Sequence, residues 1–300
     1  MGLQDDLRTQ WRSGGMVVRL ILINVAVFLV LHLVDLPFWL ANSQAPDLLR
    51  WLKSTSALGT LLYTPWTVVT YMFTHSDLMH IFFNMLVLWF AGRMFEDLLG
   101  PRRILGNYLL GGVAGFLLYL ISYNLFPVFV RFTEGSTILG ASAAVMGVFI
   151  GIAAYRPDME VQLLLFGRIK LKWIALIYVV IDLISIRQGG NSGGHIAHLG
   201  GALYGYMASV ELRKGNDWSL GFVNLLDKLR RPFIRNKGPR MRVEKKFVRS
   251  TVTKDAEFSA NKRDKQARVD AILDKISRAG YDSLSKDEKD FLFKASDGKP

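Results

Sequence analysis

Six long apolar runs, poor in charge and separated by short polar segments, constrain this chain more than anything else in it. They cover residues 20–34, 78–99, 104–125, 139–155, 171–186 and 194–212. The hydrocarbon core of a bilayer is about 30 Å thick and takes about 20 helical residues to cross. Inside it every backbone N–H and C=O must be satisfied by the segment itself, which a continuous apolar run achieves as a helix. The expected fold class is therefore all-α, a polytopic membrane protein with a compact six-transmembrane-helix bundle. A hydrophobic content of 51% and a mean hydropathy of +0.24 agree with that solvent.

Charge divides the chain further. From Arg213 onward there are 23 Lys/Arg against 13 Asp/Glu, so this stretch holds +10 of the net +12. The expected organisation is a cytoplasmic N-terminal segment over 1–15, a six-helix domain over 16–212, a basic juxtamembrane segment and linker over 213–263, and a small C-terminal helical hairpin over 264–300. Residues 1–15 are polar and no small-x-small cleavage site follows the first run, which favours a retained helix over a removed signal peptide. Asn24 and His32 within that helix read as packing residues. Residues 37–74 are broken by Pro37, Pro46, Gly59 and Pro65 and carry Trp39, Trp51 and Trp66, a composition suited to lying in the interface.

With the N-terminus inside, the cytoplasmic segments hold Arg8, Arg12, Arg19, Arg93, Arg102, Arg103, Arg156, Arg168, Lys170 and Lys172. The outer segments hold only Arg50, Lys53, Arg131 and Arg187. This asymmetry puts both termini in the cytoplasm. The corresponding location is a multi-pass integral membrane protein, expected in the bacterial inner (plasma) membrane.

Alternating the direction of the six segments then places four polar residues by depth. His80 and Asn84 lie one turn apart near the outer end of the second span, Ser142 near the outer end of the fourth, and His198 near the outer end of the sixth. Ionisable groups at such depth cost about 2.5–3.5 kcal/mol on insertion scales, so they face a bundle interior or a water-filled cavity. A serine hydroxyl becomes a nucleophile when a neutral histidine takes its proton. Gly201 and Gly205 follow His198 at the third and seventh positions, a small-residue face that lets helices approach closely. His80 and Asn84 could offer side-chain N–H groups to a developing oxyanion beside the Ser142 backbone N–H.

Three motifs stand together in order and spacing: His80-Ile81-Phe82-Phe83-Asn84, Gly140-Ala141-Ser142-Ala143, and Ala197-His198-Leu199-Gly200-Gly201-Ala202-Leu203-Tyr204-Gly205. In this combination the chain resembles the rhomboid family of intramembrane serine proteases over roughly residues 16–212. The resemblance implies a rhomboid-like six-helix bundle opening to water from the outer face, and a serine–histidine dyad with no acidic third member. Ser142 would be the nucleophile, His198 the base, and His80 and Asn84 would help to hold the oxyanion. His75 and Glu96 match positions that look structural in the family. The chain departs from the family pattern at Trp66-Thr67, where Trp-Arg is usual, at Ala143, where glycine is usual, and at Met146, where an aromatic residue is usual.

Other readings are weighed against this one. A His-based metalloprotease would use His195 and His198, spaced i, i+3, but the sequence has no His-Glu-x-x-His and no carboxylate evidently placed as a third ligand. His195 reads instead as a rim residue. A non-catalytic rhomboid-like protein that binds membrane helices is a second alternative, and a transporter, resting on Asp182 and the broken helices, a third. No cofactor is expected. With no cysteine in the chain, disulfides and thiolate chemistry are excluded.

The expected partners are the lipid bilayer and single-span membrane proteins cut near the outer end of the span. The site of cutting should be a segment that unwinds easily, after a small residue. Nucleic acid is not expected, because no basic-and-aromatic module is visible. Residues 217–231 read as an interfacial helix, 236–263 as a flexible connection, and 268–296 as two short helices, with Gly280 ending the first and a Ser285–Glu288 capping box opening the second.

Overall fold

The computed structural model describes residues 3–163, 167–188, 190–230 and 251–296. It divides into two compact units, Met1–Arg235 and Asn236–Pro300. In the first, α1 (Leu3–Ser13) and α2 (Gly15–Leu40) precede a series of short pieces: a 3₁₀ turn, β1 (Ser54–Thr55), α3 (Leu58–Tyr63) and α4 (Thr67–Thr70). Then come α5 (Leu78–Leu99), α6 (Pro101–Leu125), α7 (Pro127–Val130), β2 (Thr137–Ile138), α8 (Ser142–Tyr155), β3 (Glu160–Leu163), β4 (Gly167–Lys170), α9 (Leu171–Ser185), α10 (Ser192–Arg213) and α11 (Trp218–Arg230). Helices α2, α5, α6, α8, α9 and α10 correspond to the six apolar runs, and the protein is an all-α polytopic membrane bundle. Its only strands, among the described residues, form two short antiparallel pairs, β1 with β2 and β3 with β4.

Two boundaries differ from expectation. Helix α2 continues through Pro37 to Leu40, where a stop before the proline was expected. Pro37 lies only a turn from the helix end and forfeits one hydrogen bond there, while apolar flanks on both sides reward continuing. Polar residues ahead of the first span are helical as well, as α1, instead of a plain leading segment.

Helix α8 is the centre of the bundle, and all of its residues from Ala143 to Ala153 are buried. Its 14 residues cover about 21 Å, short of the hydrocarbon thickness. Non-helical chain must complete that crossing. Such backbone is tolerated at membrane depth only when buried in protein or lining a water-filled cavity, so the stretch before Ser142 is where an aqueous opening belongs. The stretch is held on both sides. Ser54 and Thr55 of β1 pair with Ile138 and Thr137, and the Gly140 N–H donates to the Tyr71 carbonyl at 2.9 Å.

Polar side chains lock the interior. Tyr71 donates to the Gly112 carbonyl at 2.6 Å, Tyr108 donates to the Met72 carbonyl at 2.8 Å, and buried Asn24 donates to the Tyr108 hydroxyl at 3.2 Å. Asn24 is thus the packing residue expected. The outer surface is apolar. On α9 alone Trp173, Leu176, Ile177, Val180, Ile181 and Ile184 are exposed, a face that only lipid can cover at this density.

Glu96 near the end of α5 caps the start of α2. Its carboxylate accepts from the backbone N–H of Met16 at 2.5 Å and of Val17 at 3.2 Å. It lies so close to Gly15 that a side chain there would collide with it, and Gly15 has a φ of 77°. Two orphan donors and the positive end of the α2 dipole are satisfied at once. Glu96→Ala should therefore lower stability by about 1–2 kcal/mol, read as a lower Tm in detergent micelles, and an unchanged Tm would deny Glu96 this role.

Helix α11 was expected to lie in the interface. One edge of it is docked on α6: Arg103 pairs with Asp217 at 2.5 Å, Arg102 with Asp227 at 2.5 Å, and Ser219 sits buried against Gly106. Trp218, Leu225, Leu226 and Leu229 remain exposed, so an apolar edge is still available to lipid.

The second unit holds α12 (Thr251–Ala279) and α13 (Lys286–Ser296). The linker expected over 236–263 lies outside the described residues as far as 250. From Thr251 it is helix, so the expected boundary at 263/264 falls inside α12. The first turns of α12 carry no apolar stripe that would mark a helix in the sequence. Gly280 ends α12 with a φ of 81°, and the Ser285–Glu288 capping box forms, with the Ser285 N–H donating to Glu288 at 2.7 Å. Lys275 on α12 reaches Glu288 at 2.9 Å and holds its carboxyl below the usual range.

Candidate active site

The site is built from four elements that meet at one cavity. Helix α5 opens with Asp77 as N-cap, its carboxylate accepting from the His80 N–H at 2.8 Å. This fixes the first two turns, which carry His80 and Asn84. The chain leading into α8 is pinned by His75, which is fully buried and accepts the Ala141 N–H at its Nε2, 3.3 Å away. Gly140 adopts a φ of 119° with the His80 ring packed against its α-carbon. A Cβ there would lie 2.7 Å from His80 Cε1 and Nε2, so neither the backbone nor the space admits another residue. Ser142 is the first residue of α8, where the backbone N–H groups have no intrahelical acceptor and favour negative charge.

Helix α10 supplies His198. Its start is capped by Asn191, which accepts from the Gly194 N–H at 3.2 Å, and is tied to the end of α9 by Ser192, which donates to the Ile186 carbonyl at 2.8 Å. Small residues bring α10 against α8. A side chain at Gly201 would run into the Ala143 carbonyl, and one at Gly205 into the Gly147 carbonyl. The approach expected from the Gly201 and Gly205 spacing is present.

Ser142, His198, His80 and Asn84 all line a single cavity of about 620 Å³, together with Ser76, Asp77, Asn191 and Met146 among others. Ser142 and His198 share the cavity wall without a hydrogen bond between them. Asn84 spends one amide N–H on the His80 carbonyl at 2.8 Å, leaving the other. Met146 is buried beside Val145 on the same wall, where an aromatic residue is usual in the family.

One residue of this arrangement was missed. Asp182, near the end of α9, is 3% exposed and accepts from His195 Nδ1 at 2.7 Å and from His198 Nδ1 at 2.9 Å, both on Oδ1. Its Oδ2 is buried and has no hydrogen-bond partner among the described residues. The sequence reading lacked a carboxylate beside the two histidines and made His195 a rim residue. In the structure Asp182 stands within reach of both, and His195 is bonded to it. Ligand-capable atoms of the three lie within 4.8 Å of one another. The signal was available, since Asp182 is an acidic residue inside an apolar run, where an insertion cost of about 3 kcal/mol usually has a purpose. Its partners were not, because they depend on how α9 and α10 face one another.

Because an ionised carboxylate only accepts, the bond to Asp182 puts the proton of a neutral His198 on Nδ1 and leaves Nε2 as an acceptor. His198 lines the cavity while Asp182 and His195 do not, so the carboxylate lies behind the imidazole as seen from the cavity. An acceptor nitrogen, a serine at a helix N-terminus, and donors from a second helix are what acyl transfer requires.

Residues 63–215, half of the chain, match the Rhomboid domain family, and residues 252–297 match a family of unknown function, DUF6576. RHOMBOID-like protein 12, mitochondrial, of Arabidopsis thaliana is 30% identical over 157 residues, covering 50% of this chain and 47% of the relative. Presenilin-associated rhomboid-like protein A, mitochondrial, of Danio rerio is 28% identical over 184 residues, covering 61% and 46%. Rhomboid protein 1, mitochondrial, of Saccharomyces cerevisiae is 28% identical over 206 residues, covering 67% and 55%. The chain thus spans about half the length of the curated relatives it matches. Their names place those relatives in mitochondria, at odds with the bacterial plasma membrane expected from the sequence, and what stands is the multi-pass membrane location. Taken with the three motifs and the bundle that carries them, the match over residues 63–215 shows that the chain belongs to the rhomboid family.

Proposed function

We propose that the protein is an intramembrane serine endopeptidase that cleaves single-span membrane proteins near the outer end of their transmembrane segment. The observation that carries this reading is the convergence of Ser142, His198, His80 and Asn84 on one cavity inside a lipid-facing bundle. Ser142 Oγ attacks the scissile carbonyl while His198 Nε2 takes its proton. The carbonyl oxygen, now negative, is held by the N–H groups at the start of α8 with His80 and the free N–H of Asn84. The protonated imidazole then returns its proton to the leaving amine, and water releases the acyl-enzyme by the same steps.

A substrate helix hides its carbonyls in its own hydrogen bonds and must unwind to be cut, so segments with glycine, serine or proline near the interface are preferred. The charge asymmetry of the loops supports a cavity open on the side opposite Arg102, Arg103 and Arg156. A fluorophosphonate probe tests the reading directly. The full chain in detergent should form one covalent adduct, found by mass spectrometry on the peptide containing Ser142, and should lose it on His198→Ala. Absence of an adduct, or an adduct on another serine, would remove the assignment.

A further inference from the structure

We infer that Asp182 is a positioning residue for this chemistry, the third member of a Ser142–His198–Asp182 triad; the inference rests on the Ser142–His198 reading above. Its buried carboxylate accepts a hydrogen bond from His198 Nδ1–H at 2.9 Å, from the side away from the cavity, and on the same oxygen one from His195 Nδ1–H at 2.7 Å. A carboxylate used only to tie α9 to α10 would have His195 and the Ser192 bond to Ile186 for that purpose. The additional bond to the cavity-lining histidine does something that neither of those does. It fixes which ring nitrogen is free, on a ring that lines the same cavity as Ser142.

The proton balance is simple. As the Ser142 Oγ to carbon bond forms, the carbonyl electron pair moves onto oxygen and the hydroxyl proton moves to His198 Nε2. Asp182 keeps its negative charge and stabilises the imidazolium. When the carbon–nitrogen bond breaks, the same proton leaves with the amine. Other titratable groups facing this pair are His195 on the same helix, His80 on α5, and Tyr178 one turn before Asp182 on α9.

The test uses the full chain in proteoliposomes with a single-span test substrate. Asp182→Asn is nearly isosteric and should lower kcat by about 10²- to 10⁴-fold with KM changed less than about twofold, and slow fluorophosphonate labelling in parallel. Asp182→Glu, which restores the carboxylate, should recover at least about tenfold of that loss, and His195→Ala should cost less than about tenfold. A wild-type kcat in Asp182→Asn, or a change confined to KM, overturns the inference. A second measurement needs no variant: nitrogen-15 NMR of histidine-labelled protein at neutral pH should show His198 protonated on Nδ1, and protonation on Nε2 overturns it. Loss of cleavage on EDTA treatment, restored by Zn²⁺, would also overturn it by making the trio a metal centre. Cleavage that survives Ser142→Ala is a different failure, because it removes the proposed function itself.

Discussion

Ser142→Ala should leave a folded protein that cleaves no detectable substrate. The methyl group of alanine occupies the space of the serine Cβ, and Ser142 lies at the wall of a cavity, so no packing is lost. No hydrogen bond among the described residues depends on its hydroxyl. A substitution of that kind changes stability by no more than about 0.5 kcal/mol, and the Tm in micelles should be that of the unaltered chain. Without the hydroxyl there is no atom to carry the acyl group. Loss of a nucleophile from a dyad or triad costs at least about 10³-fold and commonly far more, because the members act as a unit. Cleavage of a single-span substrate in proteoliposomes is the measurement. A rate comparable with the unaltered chain would deny Ser142 the role of nucleophile.

The second large effect falls on stability and rate together. At Gly201 the α10 backbone meets the Ala143 carbonyl with no room for even one carbon, and the obstacle is backbone, which no rotamer change can move. Gly201→Val must therefore push α10 away from α8. The overpacking cost is about 3 kcal/mol. The same displacement separates the two candidate catalytic groups, because Gly201 lies one turn from His198 and Ala143 is adjacent to Ser142. A shift of about 1 Å at a reacting centre lowers rate by about 10²-fold. Gly59→Ala is the matching control, since open space surrounds that glycine and neither Tm nor rate should respond. If Gly201→Val behaves like the control, the close crossing is not what aligns the site.

How much of this was legible in the sequence follows from what each element depends on. The six spans were readable because lipid imposes one rule on every residue of a run. Glu288 and Ser285 were readable as a cap because the motif is complete within four residues. Helix α2 beyond Pro37 was misjudged because a proline signals an end locally, whereas the apolar flank that overrides it is a property of the whole bundle. The first turns of α12 were taken for a linker because so polar a stretch has no apolar periodicity to mark it as a helix. Asp182 stood in plain view as a charged residue in an apolar run, and the sequence offered no means of naming what it bonds. It is 13 residues from His195 and 16 from His198, across a turn whose geometry sets the facing of two helices.

Sequence alone determined the solvent, the helical class, the family motifs and the identity of the four polar residues that line one cavity. Hydropathy, charge asymmetry and motif spacing are local quantities, and local quantities survive in a linear string. Tertiary structure alone decided that Glu96 caps α2, that Gly140 must be glycine because the His80 ring rests on it, and that a carboxylate stands behind His198. Each of those depends on the rotation of one helix relative to another, which is set by small residues and buried polar bonds spread across the whole bundle.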